Sequence, residues 1–410
     1  MERRHWVVLH RWTGLMLVAF LLVVGLTGSV LPFYRDLDRA ISPHMLTVEV
    51  PEGRAAIDPL ILREQVLTRH PEFRIDSVPL ARLAADDALV FYVDGRLAEL
   101  AYDELYVDPY TGKELGTRRW GDLSQGRINL MPFLYRLHYS LAAGTPGRTV
   151  LGVVALLWTL DCFVGAWLTL PPRMPRRDGA LVQRGKGWWS RWAKAWRLRL
   201  ASGGYRFGFD FHRAAGLWLW AILFVMAWSA VSFNLSQVYR PVMGALFGPW
   251  QPAPVTDQQR SSLDDRRVDW GQARERGRAL MAEFSAVANF RMRREAALSL
   301  DRAGHMWRYV VASDRDVSQR GATTIFFDAD TGAFLASHLP TGGGAAQTGT
   351  TWMTSLHTAR IGGLPMRLGV SATGLMVAAL CVTGVVIWGR KRTGRQRGAV
   401  PKVNLGQPQG

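Results

Sequence analysis

Cysteine is nearly absent from this 410-residue sequence, which has only Cys162 and Cys381, both inside apolar stretches. This scarcity excludes a disulfide scaffold, a CxxC redox pair, a cysteine-rich zinc site and covalent attachment of c-type haem through CxxCH. Any redox cofactor must therefore be held without a covalent bond, by residues other than cysteine.

Acidic residues are also few: 33 Asp and Glu stand against 50 Lys and Arg, and the formal net charge is +17. The basic excess lies in segments 1–11, 171–211 and 390–410, which flank long apolar stretches. Cytoplasmic loops of membrane proteins carry such a bias. The charge therefore indicates membrane topology, and we expect no nucleic-acid partner.

Four apolar stretches interrupt the polar sequence, and each has about the ~20 residues that cross a bilayer as a helix. Trp, Arg and Tyr cluster at their ends, as interfacial anchors do. The first is long for a signal peptide and lacks a small-residue cleavage site, so we predict a retained anchor. The stretches are Val7–Phe33, Val150–Leu170, Ala214–Leu235 and Leu368–Trp388.

These features predict a multi-pass α-helical membrane protein, embedded in a lipid bilayer, with both termini cytoplasmic and two large segments outside. Each outside segment has a helix-like stretch followed by alternating strand-like runs, and we predict two small α+β domains. The helix-like stretches are Pro59–Arg69 and Trp270–Phe284, and the strand-like runs include Glu104–Val107 and Thr323–Phe327. The predicted boundaries are 1–35 (transmembrane helix 1), 36–136 (outside domain 1), 137–171 (interfacial His segment and helix 2), 172–211 (basic cytoplasmic loop), 212–236 (helix 3), 237–355 (outside domain 2), 356–389 (interfacial His segment and helix 4) and 390–410 (basic tail).

The chain is predicted to be an internal duplication. The segment His10–Leu15 matches His212–Leu217 at four of six positions, each at the start of an apolar stretch. Leu137–Arg148 matches Leu356–Arg367 at an offset of 219 residues. In addition, an Asp-x-x-Thr-Gly motif occurs once in each outside segment, beginning at Asp108 and at Asp328. The Asp is expected to cap a tight turn between two strands and the Gly to supply a positive φ.

Four of the nine histidines occupy the duplicated positions: His10 and His212, the inner pair, near the cytoplasmic ends, and His138 and His357, the outer pair, on the other side. Ionisable groups near hydrocarbon are functional candidates. Neutral imidazole is a good ligand of haem iron, and two imidazoles from facing helices complete its coordination. We therefore predict two bis-His haem b sites. A transition-metal transport site is the alternative, although such ligands usually gather near the midplane.

Other residues are predicted to support these sites. Gly14 and Gly216, four residues after each inner histidine, would let a flat macrocycle approach the backbone. Arg148 and Arg367 would receive haem propionates, or alternatively anchor lipid headgroups. Asp161 is in the second apolar stretch and should face the bundle interior, as a packing contact or as a group that tunes a proton or a haem.

The sequence resembles the PepSY-associated transmembrane helix family in its His10-Arg11-Trp12-x-Gly14 motif, the segment from Leu137-His138 to Arg148, the paired Asp-x-x-Thr-Gly turns and the four-helix layout. Ala214 replaces the Trp of the first motif, and Asp330 precedes Thr331 in the second turn; neither change removes a proposed ligand.

This resemblance implies a bacterial inner-membrane ferric-siderophore reductase of the ferrioxamine-reductase type, with two periplasmic PepSY-like domains and haem b. It also implies that His10, His138, His212 and His357 are the haem ligands. Because no GxGxxG follows a strand, electrons are expected from an unidentified cytoplasmic or membrane donor. Three rival functions stay open: a cofactor-free membrane anchor whose PepSY-like domains regulate a protease, a metal or siderophore permease, and a haem protein that reduces a different acceptor, such as a quinone or another periplasmic protein.

Overall fold

A computed structural model describes residues 2–96, 99–172, 187–201, 203–250 and 268–398. The predicted basic loop and tail fall partly outside these residues. The chain divides into two compact units. The helical unit comprises Met1–Ser29, His138–Leu235 and Gly369–Gly410, and the sheet unit comprises Val30–Leu137 and Ser236–Leu368.

The described residues form the following helices and strands. The α-helices are α1 (Arg3–Val30), α2 (Tyr34–Ile41), α3 (Pro43–Leu46), α4 (Pro59–Arg69), α5 (Leu130–Ser140), α6 (Gly144–Thr169), α7 (Trp188–Trp192), α8 (Gly204–Trp218), α9 (Trp220–Asn234), α10 (Ser236–Phe247), α11 (Trp270–Ala288), α12 (Ala345–His357) and α13 (Gly363–Gly398). The strands are β1 (Phe73–Arg74), β2 (Ser77–Pro79), β3 (Leu89–Tyr92), β4 (Asp94–Gly95), β5 (Glu104–Val107), β6 (Glu114–Arg118), β7 (Met292–Asp301), β8 (Met306–Ser313), β9 (Thr323–Asp328) and β10 (Phe334–His338).

Three spans within the described residues are long and apolar enough to cross a membrane, namely Arg3–Ile41, Gly144–Thr169 and Gly363–Thr393. A fourth crossing requires α8 and α9 to be taken together, and these helices are bent by 69°. The third predicted helix is therefore broken rather than continuous. The break is at Leu219, whose φ of −98° and ψ of 3° leave the α-helical region. Hydropathy cannot reveal this break, because Leu219 is as apolar as its neighbours.

The core of the helical unit is formed by apolar side chains from α1, α6, α9 and α13. Its buried members are Leu17, Leu21, Val154, Leu223 and Val377. Small residues allow helix backbones to touch in membrane proteins, and α1 and α13 meet in this way. A Cβ atom built on Gly374 would lie 2.5 Å from the carbonyl oxygen of Gly25, so a larger residue there would force the two helices apart.

The sheet unit combines both outside segments. Its five-stranded sheet has the order β10-β9-β8-β7-β2, and β2 comes from the first segment whereas the other strands come from the second. Ser77 of β2 faces Ser299 of β7 in an antiparallel register. Residues of α4 and α11 contribute to one hydrophobic core. The two segments therefore share a sheet and a core, which the sequence did not reveal.

The two Asp-x-x-Thr-Gly motifs form the predicted turns. Asp108 accepts a hydrogen bond from the backbone N–H of Tyr110 at 2.8 Å, and Asp328 accepts one from that of Thr331 at 2.9 Å. Gly112 and Gly332 have φ values of +73° and +69°, which favour glycine. The turns join β5 to β6 and β9 to β10, and their predicted structural role is confirmed.

A buried ion cluster joins α2 to the three-stranded sheet β3-β5-β6. Arg118 donates to Asp38 at 3.1 Å and to Glu104 at 2.6 Å, and all three side chains are at most 5% exposed. Tyr106 also donates to Glu104, at 2.6 Å. Burial raises the pKa of Glu104, and the Arg118 guanidinium works against that rise. Arg118 therefore keeps two buried carboxylates paired.

We expect Arg118→Ala to destabilise the sheet unit by about 3–5 kcal/mol, because it leaves buried carboxylates without their partner. The loss should shrink as the pH is lowered, since protonation removes the unpaired charge. Thermal unfolding of the purified protein in detergent measures both effects. The matched control is Arg119→Ala, which removes an exposed guanidinium paired with Glu99 and should change the unfolding temperature little. Equal losses in the two variants would contradict this account of the cluster.

Candidate functional site

The four predicted haem-ligand histidines lie on four different helices. His10 is in α1, His138 in α5, His212 in α8, and His357 is the last residue of α12. The first three belong to the helical unit and His357 belongs to the sheet unit. Within the helical unit the structure brings the inner pair together.

The imidazole rings of His10 and His212 have centroids 6.3 Å apart and an interplanar angle of 63°. A metal–imidazole bond is about 2.0 Å long, so two rings on opposite sides of one metal have centres about 6 Å apart. The spacing of the inner pair is therefore suited to ligation of a single metal by both rings.

Each inner histidine is oriented through its Nδ1 atom. Nδ1 of His10 donates to the carboxylate of Asp161 in α6, at 2.9 Å. Nδ1 of His212 lies 3.1 Å from the carbonyl oxygen of Leu380 and 3.1 Å from Oγ1 of Thr383, both in α13. Because a carboxylate and a carbonyl oxygen only accept hydrogen bonds, both Nδ1 atoms carry the proton. In a neutral ring this leaves the lone pair on Nε2, the atom that can bind a metal.

His138 follows the same pattern with a hydroxyl partner. Its Nδ1 lies 3.0 Å from Oγ1 of Thr27, and the hydroxyl hydrogen of Thr27 is already donated to the carbonyl oxygen of Val23 at 2.7 Å. Thr27 therefore accepts from His138, which again leaves the lone pair on Nε2. Thr27 and His10 are 17 residues apart on α1, or about 26 Å along a helix. The two sites thus lie near opposite ends of a membrane-spanning helix.

Glycines give the histidine rings room beside neighbouring helices. A Cβ atom on Gly165 would lie 3.4 Å from Cε1 of His10, and one on Gly384 would lie 3.4 Å from Cε1 of His212. The contact at His138 is tighter, since a Cβ on Gly28 would lie 2.8 Å from its Cε1. Each of these three rings therefore packs against a glycine in a facing helix.

Gly14 and Gly216, predicted to admit a macrocycle, border open space. A Cβ atom on either would meet no atom of the described residues within 4 Å, although both residues are half-buried. Protein interiors leave few such gaps beside a half-buried backbone. The position of both glycines one turn beyond the inner histidines suits the predicted role.

The two predicted propionate-binding arginines have partners at helix ends. Arg148 lies 3.4 Å from the carbonyl oxygen of Phe233 near the end of α9. Arg367 donates to the carbonyl oxygen of Pro32 at 2.8 Å and also pairs with Asp36. Guanidinium groups stabilise the free carbonyls at helix C-termini. This structural role was not foreseen, and propionate binding stays a prediction for both residues.

Asp161 faces the interior, as expected, and its side chain is 11% exposed. The sequence alone indicates neither its partner nor a role for Thr27, Thr383 or Gly28. One signal was present: the offset of 219 that relates Leu137 to Leu356 also relates Gly165 to Gly384. The hydrogen-bond partners themselves are separated by more than 100 residues in sequence, and periodicity cannot pair them.

Within the described ranges, no three His, Cys, Asp or Glu side chains are grouped so that they could hold a metal ion. A porphyrin supplies four nitrogen ligands, so haem requires only two from the protein. Paired imidazoles with fixed Nδ1 protons, together with open space beside Gly14 and Gly216, fit that group better than a bare ion.

The family model described as "PepSY-associated TM region" matches residues 7–391. This range contains all four histidines. No curated protein matches the chain.

Gly28→Ala should destabilise the helical unit, because the added methyl group would press on His138. Overpacking of this kind costs about 1–3 kcal/mol. Gly14→Ala, the same change in the same helix, places its methyl group in open space and gains helix propensity, by at most about 1 kcal/mol. Thermal unfolding in detergent of protein from which haem has been removed should therefore show a lower midpoint for Gly28→Ala and an equal or higher one for Gly14→Ala. The reverse order would contradict the packing described above.

Proposed function

The chain belongs to the PepSY-associated TM family, and on that premise we propose that it is a dihaem b electron-transfer protein of the bacterial inner membrane. It passes electrons from a cytoplasmic or membrane donor to a ferric siderophore in the periplasm, which then releases Fe(II). Both termini are cytoplasmic, and the two outside segments are periplasmic PepSY-like domains.

The observation that carries this proposal is the inner pair. His10 and His212 have centroids 6.3 Å apart and hold their Nδ1 protons on protein acceptors. They would hold one haem, and His138 and His357 would hold the other. Gly14 and Gly216 leave room for the inner macrocycle. The equal 3.4 Å contacts of Gly165 with His10 and of Gly384 with His212 support a duplicated chain with related sites.

Haem with two imidazole ligands transfers single electrons and has no vacant position for oxygen. Siderophore oxygen atoms are hard donors that favour Fe(III) over Fe(II), so one electron per iron weakens the complex and releases the metal. No protein nucleophile or acid is required. The residues of this chain have to bind the cofactors, fix the ligand rings and exclude water from them.

Purified protein should contain two haems b, and His10→Ala and His138→Ala should each lose roughly half of the haem. The pyridine haemochrome spectrum quantifies haem per chain. His44→Ala, which changes an exposed histidine of α3 outside the proposed sites, should keep the full content. Unchanged haem content in both ligand variants would refute the assignment, and absence of haem from the wild type would favour the cofactor-free anchor.

Reconstitution of the protein into lipid vesicles tests the proposed electron transfer across the membrane. Protein reconstituted with a reductant and a redox mediator enclosed, and with a ferric hydroxamate siderophore and a coloured Fe(II) chelator outside, should form the Fe(II)–chelate complex in the external medium. His10→Ala should reduce the rate at least tenfold, because it removes a ligand of the inner haem. Uptake of siderophore iron without any enclosed reductant would instead identify a permease.

A further inference from the structure

The three described Nδ1 hydrogen bonds differ in charge. His10 donates to the carboxylate of Asp161, whereas His212 lies near the neutral oxygens of Leu380 and Thr383, and His138 donates to the hydroxyl of Thr27. Of these hydrogen bonds, only that of His10 has a carboxylate as its acceptor.

The two halves of the duplicated sequence differ in the residue type of this acceptor. The offset of 219 places Leu380 at the position corresponding to Asp161, and Val164 at the position corresponding to Thr383. In the second half the acceptors are the carbonyl oxygen of Leu380 and, three residues further along the same helix face, the hydroxyl of Thr383. Only the first half uses a carboxylate, that of Asp161. Packing does not require it, because the second half orients His212 with neutral groups.

From this geometry we propose that Asp161 is a positioning residue that lowers the midpoint potential of the inner haem and so makes it a stronger electron donor. This inference rests on the proposed function, because it assumes that His10 and His212 bind haem.

The physical argument has two parts with the same sign. A carboxylate that accepts a hydrogen bond from the free nitrogen of a metal-bound imidazole makes that ring a stronger donor. A stronger donor stabilises Fe(III) relative to Fe(II). In addition, the negative charge of Asp161, which contacts the ring that would bind the iron, favours the more positive, oxidised state. Both effects lower the midpoint potential of the inner site.

The side chain of Asp161 is 11% exposed, so water screens its charge only weakly. The His10 ring that it contacts is also packed beside Gly165, at 3.4 Å from a Cβ built there. The carboxylate is therefore held against one ring and acts on it directly. No proton uptake or release is needed, and each haem gains and loses one electron.

The test is a redox titration of purified protein, followed by visible absorbance, with dithionite as the reductant and ferricyanide as the oxidant. It is done in the His138→Ala background, where only the inner haem is expected. Adding Asp161→Asn keeps an oxygen acceptor and removes the charge. The midpoint potential should rise by at least about 59 mV, which for one electron corresponds to a tenfold change in the ratio of oxidised to reduced haem. Asp161→Glu should restore most of the shift.

Two matched variants separate charge from structure. Thr383→Val removes a neutral acceptor of His212 and should shift the midpoint much less than Asp161→Asn does. Leu380→Asp adds a carboxylate at the corresponding position of the second half and should lower the midpoint. If Asp161→Asn fails to bind haem, the midpoint potential of Leu380→Asp tests the effect of the carboxylate instead.

An unchanged midpoint in Asp161→Asn, or in Leu380→Asp when the first variant lacks haem, would overturn the inference. A shift in Thr383→Val as large as that in Asp161→Asn would also overturn it. Absence of haem from the wild-type protein would instead mean that the proposed function has failed. The two failures are thus distinguishable by haem content, which does not depend on turnover.

Discussion

The arrangement depends on hydrogen bonds that hold the Nδ1 protons of buried imidazoles. A histidine in an apolar helix bundle is stable only if its polar atoms are satisfied, and each ring has two nitrogens. In His10, His138 and His212 the protein satisfies Nδ1 with an acceptor from a facing helix. The orientation of Nε2 is then fixed before any cofactor binds, which is the preorganisation that a ligand site requires.

The helix packing follows from the same requirement. The rings need glycine in the facing helix, and Gly165, Gly384 and Gly28 provide it. Elsewhere in the bundle the small residues bring the helices together, as Gly25 and Gly374 do. The helical unit therefore uses glycine for two purposes: close backbone contact between α1 and α13 at Gly25 and Gly374, and space for imidazole rings at Gly28, Gly165 and Gly384. The break at Leu219 separates α8, which carries His212, from α9, which contributes to the bundle core.

Local features could be predicted from the sequence because they depend on short-range patterns. The helix at Pro59–Arg69 and the strand at Glu104–Val107 form where periodicity placed them. The turns at Asp108 and Asp328 form because their chemistry is contained in five residues. The pairing of β2 with β7 could not be predicted, since it joins residues more than 200 positions apart. The hydrogen-bond partners of the histidines could not be predicted for the same reason. Hydropathy also does not indicate the break at Leu219.

The proposed function requires that paired imidazoles bind haem on both sides of the iron. Low-temperature electron paramagnetic resonance of the oxidised, purified protein tests it most directly, because the spin state of ferric haem reports its axial ligands. We predict two low-spin signals typical of bis-imidazole ligation, and loss of one of them in His212→Ala. A protein that purifies without haem, or whose haem is high-spin with an open axial position, would contradict the account.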